Sequence, residues 1–336
     1  MKKLTVLILL LTACAWSFLP GLTRPAAAAE KELLASTFPV YLFARNITEG
    51  TDYFRLRLLV DSARGCPHDY APTPAELERL AQADILIING LGLEGFLSRA
   101  LTVARADLKI IDGSGGPEAA DAAGRSGEQA AGTALVLNRS TYLETNLVGG
   151  HHHGGPNPHL FAAPGTAALM TRNIAEGLAS LDSERAETYR ANGARLAAEL
   201  EASAGALRAA GAQLGHPKVM VSHSIFEYLA ADLGFEVVAA IEEEDGAEPT
   251  AARLSELARL ARSAGVRAIL ADPSENVDFA RLLGGEARVP VAALDLVAAG
   301  PLDAPLDYYQ KVMATDLEVL TTLFLGPPPA EKPVKK

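Results

Sequence analysis

From Leu33 to Leu325, short runs rich in branched and aromatic residues alternate with longer stretches of helical spacing, and this rhythm limits the fold more than any other feature of the chain. "LLAST" (33–37), "FRLRLLV" (54–60), "DILIIN" (84–89) and "LKIID" (108–112) read as strands in the first part. "KVMVS" (218–222), "FEVVAAI" (235–241), "RAILAD" (267–272) and "VPVAALD" (289–295) repeat the pattern in the second. Between them run helical segments: "VYLFARNI", "TPAELERLAQA", "FLSRALTVA", "IFEYLAADLG", a stretch from Thr250, another around Val277–Leu283, and a last one reaching Leu325. Strands separated by helices pair in parallel, with the crossovers covering both faces. The expected fold class is α/β, with two lobes, each a mainly parallel sheet flanked by helices. One helix start is spelled out locally: Thr73 caps, Pro74 suits the first turn and Glu76 completes a capping box.

The two sets of strands are separated by a stretch from Gly165 to about Leu214 with few breakers and much Ala, Leu, Arg and Glu. As one helix it would reach roughly 65 Å at 1.5 Å per residue, and Asp182-Ser183 marks a fresh N-cap where a bend is expected. The organisation expected is a signal segment at 1–29, an N-terminal lobe at 30–164, a long linking helix at 165–214, a C-terminal lobe at 215–326 and a solvated tail at 327–336. From Gly113 to about Ala134 the composition collapses to Gly, Ala, Ser and scattered charge, which reads as an inserted loop.

The first residues supply an address. Lys2 and Lys3 precede the apolar run "LTVLILLLTACAWSFLPGL", and "RPAAAAE" offers a small-residue cleavage site near Ala28–Ala29. The rival reading takes "LTAC" as a lipoprotein box with Cys14 lipidated. Loss of 1–29 removes Lys2, Lys3 and Arg24 from the 30 bases and none of the 41 acids, so the formal charge moves from −11 to −14. That balance disfavours nucleic acid and anionic lipid and attracts cations. Only Cys66 would then remain, so no intrachain disulfide is available.

Two constellations carry chemistry. "NGLGLEG" spells G-x-G-x-x-G through Gly90, Gly92 and Gly95, and Asp112 ends the next strand, as in a dinucleotide site. Against that reading, Glu94 adds negative charge where a pyrophosphate would approach. The alternative is a tight strand-to-helix turn that needs positive φ. The histidines form the second constellation. His68, His159 and His223 each fall where a strand or loop meets a helix start, and Asp295 ends "VAALD". In open α/β sheets that carboxyl edge is where ligands bind. Three imidazoles and one carboxylate suit a four-coordinate Zn²⁺ site, although each histidine taken singly also suits a cap or a surface turn.

Read as words, "PHDYAPTPAELERLAQADILIINGLGLEGFL", "NPHLFAAP", "VSHSIFEYLAADLGF", "GAEPTAARLSELARLARSAGVRAILADP" and "VPVAALD" resemble, in order, the blocks of the metal-binding solute receptors of ABC importers, the zinc- and manganese-uptake family. The likeness runs from about Leu33 to Leu325. It implies two lobes joined by a long rigid helix, a metal in the cleft, and ligands at His68, His159, His223 and Asp295. It also implies a permease of an ABC importer in the inner membrane as partner, with the receptor working as a monomer. The G-x-G-x-x-G then becomes a structural turn. The sequence departs from the family at Ala163, where relatives place an acid or serine. It departs again at the short tract His151, His152 and His153, where zinc members often carry a longer histidine-rich loop. Those three histidines are either an auxiliary metal-collecting site or part of a polar loop. Cys66 reads as a bystander, His216 as part of a helix-to-strand turn, and the acidic run 242–248 as a solvated loop, since it lacks a calcium-loop pattern.

The function implied is capture of Zn²⁺ in the periplasm and its delivery to an importer, with no enzymatic role. Three neutral imidazoles favour Zn²⁺ over Mn²⁺, and manganese-binding relatives are understood to use a carboxylate at the position of His223. The alternatives are a receptor for Mn²⁺ or another divalent metal, an adhesin of the same fold and, more remotely, an exported zinc enzyme or a dinucleotide-binding protein.

Overall fold

The computed structural model describes residues 30–60, 70–115, 156–241, 249–273 and 277–326. Outside them lie the signal segment with Cys14, Cys66, His68, most of the insertion after Gly113, the tract His151, His152 and His153, the acidic run 242–248 and the tail 327–336.

The first sheet holds β1 (Lys31–Ala35), β2 (Phe54–Leu58), β3 (Ile85–Ile88) and β4 (Lys109–Asp112), in the order β2-β1-β3-β4. The second holds β5 (Lys218–Val221), β6 (Glu236–Ala240), β7 (Ala268–Ala271) and β8 (Val291–Ala293), in the order β6-β5-β7-β8. All pairings are parallel. Both sheets therefore have the same topology, and in each the chain reverses its winding beside the first strand, between β1 and β3 and between β5 and β7. That switch leaves a crevice at the strands' carboxyl ends. Burial on both faces explains the composition: β3 is four apolar residues, all buried, each contributing roughly 1.5–3 kcal/mol.

The helices are α1 (Phe38–Ile47), α2 (Pro74–Gln82), the single turn α3 (Leu97–Ala100), α4 (Pro164–Leu181), α5 (Ala186–Leu214), α6 (Glu227–Leu233), α7 (Ala251–Ala264), α8 (Asp278–Ala287) and α9 (Tyr308–Leu325). The capping box forms at α2: Thr73 accepts from the Glu76 amide, and Glu76 accepts from the Thr73 amide at 2.7 Å. "FLSRALTVA" forms less helix than its pattern suggests, one α-turn followed by a 3-10 turn at Leu101–Val103.

The linking stretch is two helices and not one. The bend expected at Asp182-Ser183 is a full reversal, so α4 and α5 lie antiparallel. Arg190 bridges back to Glu176 at 2.8 Å and Arg172 forward to Glu201 at 2.6 Å. The physical cause sits at the turn, where the Asp182 carboxylate accepts from Tyr189 Oη (2.7 Å) and pairs with Arg185 (3.2 Å). The two helices approach closely because Gly193 faces Ala175, whose Cβ would lie 2.4 Å from an added methyl.

Helix α5, 29 residues and about 43 Å long, is the element that spans both lobes. Asn192 near its start donates to the Ile47 and Glu49 carbonyls of the first lobe at 3.0 and 2.9 Å. Gly211 near its end packs against the Leu233 carbonyl of the second. Apolar burial follows the same plan. One cluster covers the outer face of the first sheet and another the outer face of the second, while the largest is continuous from Leu33 and Phe43 through Tyr189 and Phe226 to Leu296 and Tyr309. The α1 side chains also reach across: Arg45 donates to the Leu302 and Ala304 carbonyls and Asn46 to that of Leu306. Among the described residues no helix is long and apolar enough to cross a membrane.

Candidate metal centre

The switch-point edges of the two sheets meet at the tripeptide Asn157-Pro158-His159. From the first sheet, Asn89 at the end of β3 donates from Nδ2 to the Pro158 carbonyl at 2.8 Å. From the second, the segment after β5 receives Asn157, whose Nδ2 donates to the Ser224 carbonyl at 2.9 Å. His159 and His223 are both buried, with ring centroids 5.0 Å apart and planes at 82°.

Each ring is held by its Nδ1, in opposite senses. Asn157 Oδ1 lies 2.8 Å from His159 Nδ1 and also accepts the His159 amide at 3.0 Å. An amide oxygen only accepts, so the His159 proton sits on Nδ1 and the lone pair on Nε2, the form in which a neutral imidazole binds metal. At His223 the backbone is extended and the side chain caps the 3-10 turn Ser224–Phe226, with Nδ1 accepting the Ile225 amide at 3.0 Å. The neutral His223 ring therefore carries its proton on Nε2. Coordination by either nitrogen of a neutral ring requires the Ile225 amide to be released.

Asp295 stands just beyond β8, at the same edge. Its Oδ1 accepts the Val297 amide at 2.8 Å, and its own amide donates to Asp316 of α9 at 3.1 Å. Val297 is locally strained by this arrangement, since its φ of 61° is one that a β-branched residue rarely adopts. Burial raises the Asp295 carboxyl above the usual carboxylate range, the Val297 amide opposes the rise, and the charge of Asp272 adds to it. Burial pushes Asp316 up to about 8, with Asp295 and Asp272 again reinforcing and the Asp295 amide opposing.

Of the four expected ligands, the structure brings His159 and His223 together. Asp295 does not join them in a metal-sized group: among the described residues no three His, Cys, Asp or Glu side chains are gathered to hold a metal ion. His68 lies outside the described residues, although the next residue described, Tyr70, is anchored through its hydroxyl to Glu76. The expected auxiliary ligands His151, His152 and His153 lie outside them as well, so the structure adds none of the three to the His159–His223 pair. His216 sits in the helix-to-strand turn, at φ 48° with Nδ1 3.1 Å from the Gly234 carbonyl. The network residues Asn157, Glu227, Asp272 and Asp316 did not stand out in the sequence. Only Asn157 left a trace there, since Asn two residues before a structured amide is the mark of an Asx turn.

The glycine motif is a plugged turn. Gly90 and Gly92 take φ of 90° and 80°, and the Glu94 carboxylate accepts the Asn89 amide (2.6 Å), the Gly90 amide (3.2 Å) and Ser36 Oγ (2.6 Å). These are the donors a phosphate would need, and the motif's own acid occupies them. A cavity of about 250 Å³ beside the turn is lined by Leu86, Ile88, Leu97, Leu101 and Ile110 with Glu94, and among the described residues no basic side chain lines it.

Against known proteins, residues 33–323 match the family described as zinc-uptake complex component A, periplasmic (ZnuA). The zinc-binding lipoprotein AdcA of Streptococcus pneumoniae serotype 4 is 24% identical over 302 residues, covering 88% of this chain. The chain spans only 55% of that relative's length. Among solved structures, the solute-binding protein FpvC of Pseudomonas aeruginosa in complex with Mn²⁺ superposes with a TM-score of 0.70 at 20% identity, over 88% of this chain and 98% of that one. A zinc-bound ZnuA with residues 138–173 deleted gives 0.68 at 23% identity, over 89% and 100%. Those two likenesses establish a shared fold, and with the family match covering most of its length, the chain belongs to the ZnuA family of periplasmic zinc-uptake components.

Proposed function

We propose that this chain is a solute receptor that captures Zn²⁺ between its lobes and hands it to the permease of an ABC importer in the membrane, without catalysing a reaction. The observation that carries the reading is the buried His159–His223 pair at the junction of two switch-point edges. The proposed ligand set adds His68 and Asp295, of which Asp295 has to close on the His159–His223 pair when metal binds because the described residues do not gather it there. The tract His151, His152 and His153 serves at most as an auxiliary collecting site. Two imidazoles from separate lobes, with a third and one carboxylate, match the borderline-soft, tetrahedral demands of zinc better than the oxygen-rich shell of harder ions. Family membership and the zinc-binding name of the AdcA relative agree with it. The receptor is exported through residues 1–29 and released by cleavage near Ala28–Ala29, so mass spectrometry of the processed chain should find an N-terminus at Ala29 or Glu30; a lipidated Cys14 would replace release by anchoring.

Zinc must displace protons from its ligands. Imidazoles protonate at about pH 6.5 when free, and the upward-shifted Asp295 carboxyl holds its proton to higher pH than an ordinary aspartate. Both act in one direction, so zinc affinity should weaken below about pH 6. Competition against a chelator at about pH 7.5 and about pH 5 tests this; equal affinity at both would reject histidine ligation.

A further inference from the structure

Glu227, the first residue of α6, is buried, yet Oε1 has no hydrogen-bond partner among the described residues. Burial raises its carboxyl, against the single opposing bond from Asn157. A carboxylate kept in so unfavourable a place is explained by what its other oxygen does. Oε2 accepts from Asn157 Nδ2 at 2.9 Å, beside the bond from the same nitrogen to the Ser224 carbonyl. Both amide protons of Asn157 are thus claimed by acceptors of the second lobe, and the Tyr228 hydroxyl donates to the Asn157 carbonyl at 2.8 Å. An amide pinned this way has one orientation, with Oδ1 turned to His159.

We infer that Glu227 is a positioning residue for metal capture: by fixing the Asn157 amide across the lobes it sets the ring plane and the Nδ1–H tautomer of His159. Without the carboxylate, the amide has one fewer reason not to flip. A flipped amide would offer N–H to His159 Nδ1 and drive the proton to Nε2, the nitrogen needed for the metal. The inference rests on the zinc reading above for its consequence, but not for its geometry.

Two readouts on the full chain separate these. The tautomer of His159 is read in metal-free protein by ¹⁵N spectra after histidine-selective labelling. Zinc affinity is read by chelator competition. Glu227→Met keeps the side chain's length and removes both oxygens; Glu227→Gln keeps an acceptor for Asn157. The methionine variant should lose the uniform Nδ1–H signature and bind zinc about 10–100-fold more weakly. The glutamine variant should keep the signature and near-normal affinity. Glu227→Leu replaces the methionine variant if that one does not fold. Unchanged tautomer and affinity without the carboxylate overturn the inference, as does a glutamine variant that falls as far as the methionine one. A wild type that binds no zinc would remove the functional reading while the tautomer still decides the role of Glu227.

Discussion

At the scale of single residues, Gly90 and Glu94 show how a turn that looks like a ligand site can be self-sufficient. A Cβ on Gly90 would lie 2.0 Å from Asp112 Oδ1, whereas one on Gly92 would meet nothing, though both have positive φ. Gly92→Ala should therefore cost about 1 kcal/mol for the backbone alone, and Gly90→Ala clearly more, as measured by urea denaturation. Glu94 adds a pH dependence. Burial raises its carboxyl, with Ser36 and the Asn89 and Gly90 amides opposing. A group whose folded pKa lies above its unfolded value binds its proton more tightly in the native state, so its contribution is complete below about pH 4.5 and is lost as pH rises through the folded value. Relative to Glu94→Gln, metal-free wild type should lose stability from about pH 4.5 towards neutrality; a flat difference would contradict the assignment.

Among the elements, the α4–α5 hairpin rests on the contact of Gly193 with Ala175. Gly→Ala inside a helix ordinarily gains about 1 kcal/mol. Here the added methyl lands 2.4 Å from a neighbouring Cβ, so Gly193→Ala should instead destabilise by about 1–3 kcal/mol. The turn after β5 makes a second prediction. Because His223 Nδ1 caps Ile225 in the metal-free form, zinc loading should free that amide and speed its hydrogen exchange, while amides of the β5–β7 ladder stay protected. An Ile225 amide equally protected with and without zinc would place the metal elsewhere. Much at this scale is legible in the sequence. "TPAELERL" announces its capping box because the signal is local, and the eight strands fall within two residues or so of their apolar runs. The reversal at Asp182–Arg185 is legible only as a bend, because its direction depends on Tyr189 and Arg185 meeting the Asp182 carboxylate after packing.

For the whole molecule, parallel sheets and two lobes are legible from alternation, but their strand order and the meeting of their edges are not, since neither is written in local spacing. Nor is the Asn157–Glu227 network: in "SIFEYL" a buried Glu227 looks like any solvated helix residue, and only the fold reveals its partner 70 residues away. The shared core, the α5 brace and the α1 contacts to 302–306 tie the lobes together. Metal loading should accordingly leave the radius of gyration nearly unchanged by X-ray scattering, with backbone shifts of about 1 Å or less. The central claim, that zinc is held between the lobes by His159 and His223 together, is tested most directly by zinc competition titration of wild type beside His223→Ala. The expected result is one tightly bound zinc per chain and its collapse in the variant. Tight binding that survives the loss of His223 would contradict the claim.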